Sequence, residues 1–323
     1  MKAIRVHEAG GPEVLRWEDV SVGEPGPGEA RIRHTAVGLN FVDVYYRTGL
    51  YKPPSYPFTP GSEAAGVVEA VAAGVGDLKP GMRVAYGAAP LGAYSQARLV
   101  PADRLVPLPD GIDDRTAAAM MLKGMTAHYL LLRIGRIKKG DTILVHAAAG
   151  GVGLIACQWA RALGATVIGT VGSDEKAELA RAHGCQHPIV YTREKFVDRV
   201  KEITGGRGVR VVYDSVGKDT LLGSLECLQL LGTVALFGQS SGPVPAFDLS
   251  LLARGSYFIT RPSLFHYVAA RGDLLDAARA LFDVVLSRAV KVEVRQTYPL
   301  AEAGRAHRAL ESRRTTGSTV LLP

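Results

Sequence analysis

The chain has 323 residues, enough for two domains of ordinary size, and its 47% hydrophobic and 21% charged content excludes a disordered protein. The net charge of +7 comes from Lys and Arg scattered along the chain, the densest cluster being Arg313-Arg314. With no zinc-finger spacing and no aromatic RNA-recognition signature, nucleic acid is not the expected partner. The N-terminus has no apolar stretch of signal-peptide length and no later run approaches the ~20 residues of a membrane span, so the expectation is a cytoplasmic protein with no membrane contact.

Residues 1 to about 122 read mostly as short strands punctuated by Gly and Pro. Alternation of apolar and polar residues marks RIRHTAVGL (31–39), AAGVVEAV (64–71) and YSQARLV (94–100), with turn chemistry in GEPGPGE, YKPPSYPFTPGS and KPGMR. FVDVYYRTG (41–49) is the exception, a short helix closed by a glycine.

From about residue 123 apolar strands alternate with helices. TILVHAA is followed by GLIACQWARALG, ATVIGTV by SDEKAELARAHG, PIVY by EKFVDRVKEITGG, and VRVVYDSV by TLLGSLECLQLLG; TVALFG and SYFIT (256–260) close the series. Six such strands imply parallel βαβ units in a doubly wound sheet. The tail then reads as two helices, DLLDAARALFDVVLSRA and EAGRAHRALESRR, and a last strand, TVLLP. The fold class is therefore α/β. A mainly β domain covers 1–122 and 263–323, and a doubly wound parallel-sheet domain covers 123–262.

The first βα turn, HAAAGGVG (146–153), carries the glycines a dinucleotide needs. Gly150 and Gly151 let backbone approach a pyrophosphate, Gly153 lets the helix pack close to the strand, and the helix N-terminus offers free N–H groups to the anion. The next strand of such a unit commonly ends in an acid that grips the ribose of NAD. Here Val171 stands in that place, followed by Gly172 and Ser173, with Lys176 in the first turn of the helix and Tyr191 at the end of the next strand. An acid would repel a 2′-phosphate, whereas this set offers donors and a cation, so NADPH is expected over NADH. Asp174 and Glu175 run against this, but the start of a helix favours acids in any case.

Cys157, Cys185 and Cys227 are odd in number and lack CxxC spacing, which argues against disulfides and a structural zinc cluster. His34, His128 and His146 read as packed or capped side chains.

GDTILVHAAAGGVGLIACQ (140–158) resembles the signature of the zinc-free quinone oxidoreductases, the ζ-crystallin-like branch of the medium-chain dehydrogenase/reductases. The likeness runs through GLNFVDVYYRTGLY (38–51), PGSEAAGVV (60–68), LKGMTAHYLL (122–131), VYDSVG (212–217), FGQSSG (237–242) and RPSL (261–264). It implies a GroES-like catalytic domain beside a Rossmann NADPH-binding domain. Zinc-containing relatives have a cysteine ligand where this chain has Asn40 and a histidine ligand where it has Ser62, so no metal is expected. The resemblance extends the cofactor-binding set to Phe41, Thr126, Val152, Ser215, Phe237, Gly238, Ser240 and Arg313.

Without a metal to polarise an isolated ketone, the fitting substrate is an acceptor that is already electron-poor, a quinone or an α,β-unsaturated carbonyl. In similar enzymes the segment after Asn40 lines the nicotinamide and substrate site, on a cleft between the domains. Asn40 would hold the acceptor oxygen, Tyr45 or Tyr51 would hydrogen-bond it or relay a proton, and Asp43 lies near the same rim; Tyr46 is assigned to packing. An enone or alkenal double-bond reductase fits the same features. A non-enzymatic NADPH- or RNA-binding role is a third reading, which the scattered charge disfavours. SYFIT is expected at the edge of the parallel sheet, apolar and unguarded, where a second copy would pair through Ser256–Thr260 to form a homodimer.

Overall fold

The computed structural model describes residues 1–323, in two compact units. The first comprises Met1–Met125, Val268–Leu286 and Val292–Pro323; the second comprises Thr126–Tyr267 and Ser287–Lys291. No helix is long and apolar enough to cross a membrane.

In the first unit β1 (Lys2–Arg5) and β2 (Arg16–Asp19) form an antiparallel pair. β3 (Glu29–Leu39) leaves the turn at Gly28, whose φ of +78° suits glycine, and alternates buried with half-buried or exposed side chains until its last four residues, which are all buried. α1 (Phe41–Arg47) starts from an extended Asn40 whose N–H donates to the Asp43 carboxylate at 2.9 Å. It ends where the Thr48 hydroxyl donates to the Val44 carbonyl and Gly49 turns left-handed at φ +78°. β4 (Ala64–Val71), β5 (Arg83–Tyr86), β6 (Ala97–Pro101) and β7 (Val106–Pro107) follow, and then α2 (Asp114–His128).

That 15-residue helix corrects the mainly strand reading of residues up to 122. Ala117 to Met121 are fully buried, so the segment has no polar face and no helical periodicity to betray it.

The second unit holds β8 (Thr142–Val145), α3 (Gly151–Ala162), β9 (Thr166–Val171), α4 (Asp174–Ala182), β10 (His187–Val190), α5 (Phe196–Ile203), β11 (Val209–Asp214), α6 (Leu221–Glu226), β12 (Leu228–Leu236), β13 (Phe258–Thr260) and α7 (Leu264–Tyr267). The six strands are parallel in the order β10-β9-β8-β11-β12-β13, the doubly wound arrangement whose order reverses between β8 and β11. Two boundaries differ from the sequence reading. The helix expected through Gly232 stops at Glu226, and the leucines from Leu228 join the sheet, because an apolar run of that length satisfies either period. The last strand begins at Phe258, since Ser256 takes a left-handed φ of +50° that interrupts extended backbone.

The chain then adds α8 (Arg271–Leu286), β14 (Val294–Pro299), α9 (Ala303–Glu311) and β15 (Ser318–Leu322) to the first unit. Its main sheet runs β14-β15-β3-β4-β5-β7, with β6 also on β3. β14 was not anticipated: it is an edge strand of only half-buried and exposed side chains with one neighbour, β15. Ile32, Leu39, Val84, Tyr86 and Leu321 fill the core of this sheet, and Leu300, Ala303 and Ala306 pack on it from the C-terminal segment.

Candidate functional site

In the second unit β8 delivers the chain into a turn at His146–Gly150. His146 is buried and bridges two strand ends and a helix, with Nδ1 2.8 Å from Thr170 Oγ1 and Nε2 3.0 Å from Ser224 Oγ; burial lowers its pKa. Gly150 is the extended N-cap of α3 and no side chain caps that end, so the first N–H groups of the helix have no side-chain acceptor. A Cβ on Gly153 would lie 2.3 Å from the Ala147 carbonyl oxygen, so only glycine lets α3 start this close to the turn. Gly150, Gly151, Val152 and Gly153 thus form one cradle at the point where the strand order reverses.

At the end of β9, Val171 is 2% exposed, so the side chain in the position of the acid is turned away from solvent. Ser173 caps α4, its Oγ accepting the Lys176 N–H at 3.3 Å, which leaves the hydroxyl hydrogen available to donate. Tyr191 lies over Gly172: a Cβ there would be 2.8 Å from its hydroxyl oxygen. Gly172, Ser173, Tyr191 and the first turn carrying Lys176 are therefore neighbours. Arg193, which sequence reasoning passed over, pairs with Asp174 at 2.5 Å and holds that carboxyl below its usual range. One of the two acids that counted against a phosphate here is thereby paired with a cation.

The ends of β11 and β12 form the other half of this surface. Asp214, fully buried, accepts the N–H groups of Val216 and Gly217 and the hydroxyls of Thr220 and Ser224, fixing the turn after β11. The Ser215 carbonyl accepts the Ser240 N–H at 3.1 Å, and a Cβ on Gly238 would meet that same carbonyl oxygen at 2.7 Å. Phe237 donates its N–H to the Asp214 carbonyl, so Ser215, Phe237, Gly238 and Ser240 stand together. Thr126 lies on α2, 5% exposed, while Phe41 and Arg313 belong to the first unit.

In the first unit the residues after β3 meet two charges that sequence reasoning missed. Glu63 is fully buried. Its Oε1 accepts the Leu122 N–H at 2.7 Å, and its Oε2 accepts both Lys123 Nζ at 2.7 Å and Asn40 Nδ2 at 2.8 Å. The signal was present in a Glu and a Lys set among small apolar residues, SEAAGVV and MMLKGM, where a charge must find a partner. Ser62 Oγ is buried with no hydrogen-bond partner. Asn40 is thus tied into an ion pair, and no cluster of three or more His, Cys, Asp or Glu is arranged to hold a metal. The three cysteines are buried and unpaired in the second unit.

Asp43, expected near the acceptor, is buried in a second network. Besides the Asn40 N–H it accepts the Tyr94 hydroxyl at 3.1 Å, while its other oxygen has no partner; burial pushes its pKa up to about 7. Tyr45 is 8% exposed, edge-on to Tyr51 with ring centroids 5.2 Å apart, and Tyr46 packs edge-on to Tyr51 at 5.7 Å. Tyr46, assigned to packing, does pack on Tyr51 but is only half-buried, whereas Tyr45 is buried. A helical residue on the core side of α1 is covered on both flanks, and position 45 faces that side. His34 is buried between the Ser95 carbonyl and the Tyr86 hydroxyl, and burial lowers it to about 4.

The family model "Alcohol dehydrogenase GroES-like domain" matches residues 26–110, and "Zinc-binding dehydrogenase" matches 151–274. A GroES-like sheet unit with a doubly wound dinucleotide unit defines a medium-chain dehydrogenase/reductase. The chain is 52% identical to a quinone oxidoreductase of Pseudomonas aeruginosa, covering 100% of this chain and 99% of that one, and 50% identical to a 2-haloacrylate reductase of a Burkholderia species, covering 98% of each. Among solved structures, the Escherichia coli quinone oxidoreductase complexed with NADPH matches with a TM-score of 0.98 at 49% identity, covering 100% of both chains. The chain belongs to the quinone oxidoreductase family of the medium-chain dehydrogenase/reductases.

Proposed function

We propose that this protein reduces quinones with NADPH, without a metal. Full-length kinship at about half identity to quinone oxidoreductases carries the reading. The cradle fits the dinucleotide: Gly153 lets α3 start against the Ala147 carbonyl, the start of α3 is uncapped by side chains, and the donors round Gly172 stand where a ribose acid is absent. The N–H groups of Gly151, Val152 and Gly153 would hold the pyrophosphate, with Gly150, whose own N–H is tied to the Ala147 carbonyl, turning the backbone toward it. Gly172, Ser173, Lys176 and Tyr191 would hold the 2′-phosphate, and Ser215, Phe237, Gly238 and Ser240 would line the rest, with Phe41, Thr126 and Arg313 completing the set. Bound NADPH supplies a hydride. Asn40 orients the acceptor oxygen, and Tyr45 and Tyr51 border it with hydroxyls able to hydrogen-bond. Asp43 is buried and acts on the acceptor only by holding the start of α1. The proton that completes a hydroquinone comes from water.

Reduction of a conjugated double bond is the second reading, favoured by the likeness to a 2-haloacrylate reductase. Steady-state oxidation of NADPH with a series of quinones and enones ranks the two. Quinones are expected to be the better acceptors and NADH a poor reductant. Lys176→Ala is expected to weaken NADPH by ~2 kcal/mol, as for one charge-assisted contact, and to leave NADH nearly unchanged. Equal calorimetric affinity of the wild type for both cofactors would contradict the phosphate site.

Three buried free thiols suit a reducing compartment and support a cytoplasmic location. The second unit also supports a homodimer. β13 ends the sheet order, and Phe258 on it is 59% exposed. The exposed Leu231, on β12, ties its N–H to the Gly255 carbonyl just before β13. A second copy pairing through this edge would cover it in a closed two-fold contact. Light scattering at low micromolar concentration is expected to show a dimer for the wild type and a monomer for Phe258→Lys, which charges the edge. A monomeric wild type, or a variant that stays dimeric, speaks against the interface.

A further inference from the structure

Lys123 is 5% exposed, yet its ammonium makes one hydrogen bond, to Glu63 Oε2 at 2.7 Å. An ammonium has three donor hydrogens and no acceptor capacity, so two of them have no protein partner at an almost buried position. Glu63 cannot serve them. It is fully buried and already takes the Leu122 N–H, Lys123 and Asn40. Because a carboxylate only accepts, Asn40 must turn Nδ2 toward Glu63, and it too keeps one amide hydrogen unused. Of the three, Lys123 and Asn40 keep 5% and 7% exposure and Glu63 keeps none. Two donors joined through one carboxylate oxygen, one of them a full positive charge, form a site for an oxygen that gains negative charge. Ser62, beside Glu63, adds a buried hydroxyl with no partner.

We propose that Lys123 is a catalytic residue whose ammonium binds the carbonyl oxygen of the conjugated acceptor and stabilises the negative charge that forms there on reduction. The inference rests on the quinone reading above. The acceptor gains two electrons and one hydrogen as hydride, its oxygen is left with one negative charge, and a proton from water completes the reduced product. Lys123 does not supply that proton. A neutral amine would leave Glu63 an unpaired carboxylate in the interior, at far greater cost than drawing a proton from solvent. Glu63 therefore acts as a positioning residue, balancing the ammonium and orienting the Asn40 amide.

The test compares wild type, Lys123→Arg, Lys123→Met and the double variant Glu63→Gln/Lys123→Met, the last of which leaves no buried charge unpaired. Lys123→Met and the double variant are expected to lose about 100-fold or more in kcat/KM for a quinone, as for loss of an oxyanion donor, while calorimetry shows NADPH affinity unchanged. The second readout is free of turnover: 4-nitrophenol is titrated on each protein without cofactor and its ionisation followed by absorbance. Wild type is expected to bind the phenolate and lower the pH at which it ionises. Lys123→Arg keeps part of that shift, and the double variant abolishes it. A folded double variant with near wild-type kcat/KM and an unaltered nitrophenol titration would overturn the proposal. A wild type that oxidises NADPH with no quinone, yet still shifts nitrophenol in a Lys123-dependent way, would sink the quinone reading and leave the oxyanion site standing.

Discussion

Gly153→Val is expected to abolish NADPH binding and to destabilise the second unit by about 3 kcal/mol. The added Cβ would sit 2.3 Å from the Ala147 carbonyl oxygen and 2.8 Å from the Ala148 backbone, and backbone atoms cannot swing away as a side-chain tip does. Relief requires α3 to slide off the turn. Such a shift carries its first N–H groups away from the anion they would bind and opens the packing of Leu154 and Ile155, both nearly buried. Gly150→Ala is the internal comparison, since its Cβ would stand 3.2 Å from the same oxygen and requires only a small adjustment. Urea unfolding and calorimetric titration with NADPH check both variants. A Gly153→Val protein that binds NADPH normally would mean that the turn does not hold the cofactor.

Arg47→Met is expected to cost the first unit about 3 kcal/mol, the low end for breaking a buried ion pair, because Glu311 is 32% exposed and regains some water. The Arg47 side chain is 1% exposed. Its two terminal nitrogens grip Glu311 at 2.8 and 2.7 Å, Nη1 also reaches His307 Nδ1 at 3.1 Å, and Nε donates to the Gly10 carbonyl. A guanidinium only donates, so His307 Nδ1 accepts and its proton sits on Nε2, which donates to the Tyr94 hydroxyl; Tyr94 in turn donates to Asp43. One directed chain of hydrogen bonds thus ties α9 to the start of α1, and removing Arg47 unsettles every link. Urea unfolding measures the loss, and a change below about 1 kcal/mol would contradict this account.

The same network sets the pH response of that measurement. Burial and then Arg47 hold His307 at about 3, well below an ordinary histidine. As pH falls below 6.5 the unfolded chain takes up the proton first, and stability drops by ~1.4 kcal/mol per pH unit down to that value. His34 adds a similar limb down to about 4. Asp43 works in the opposite sense. Its carboxyl ionises near 7 in the fold and near 3.8 unfolded, so its contribution is lost as pH rises through that window and is constant above it.

Much of the dinucleotide unit was legible because its signals are local. Strand and helix periods alternate, the glycines of HAAAGGVG mark a close approach within a few residues, and a valine in place of an acid is read at a single position. The short helix after Asn40 was equally plain from its closing glycine, while the capping role of Asp43 emerged only in the structure. α2 and β14 were not, the first because a helix buried on all sides has no polar face, the second because a lone edge strand has too little burial to impose a pattern.

By itself, then, the sequence determined the doubly wound sheet, its glycine turn, the acid-free ribose position and the family, since each depends on residues adjacent in the chain or on motifs read in order. Only the tertiary structure decided which buried charges meet. Glu63 finds Lys123 sixty residues on, and Arg47 finds Glu311 across more than two hundred and sixty. It also decided that Asp43 is fully buried while Lys123 keeps 5% exposure. A buried charge requires a partner, but the sequence does not say which, because partners are chosen by the way β3, α1, α2 and α9 stack, and that follows from the packing of the whole unit.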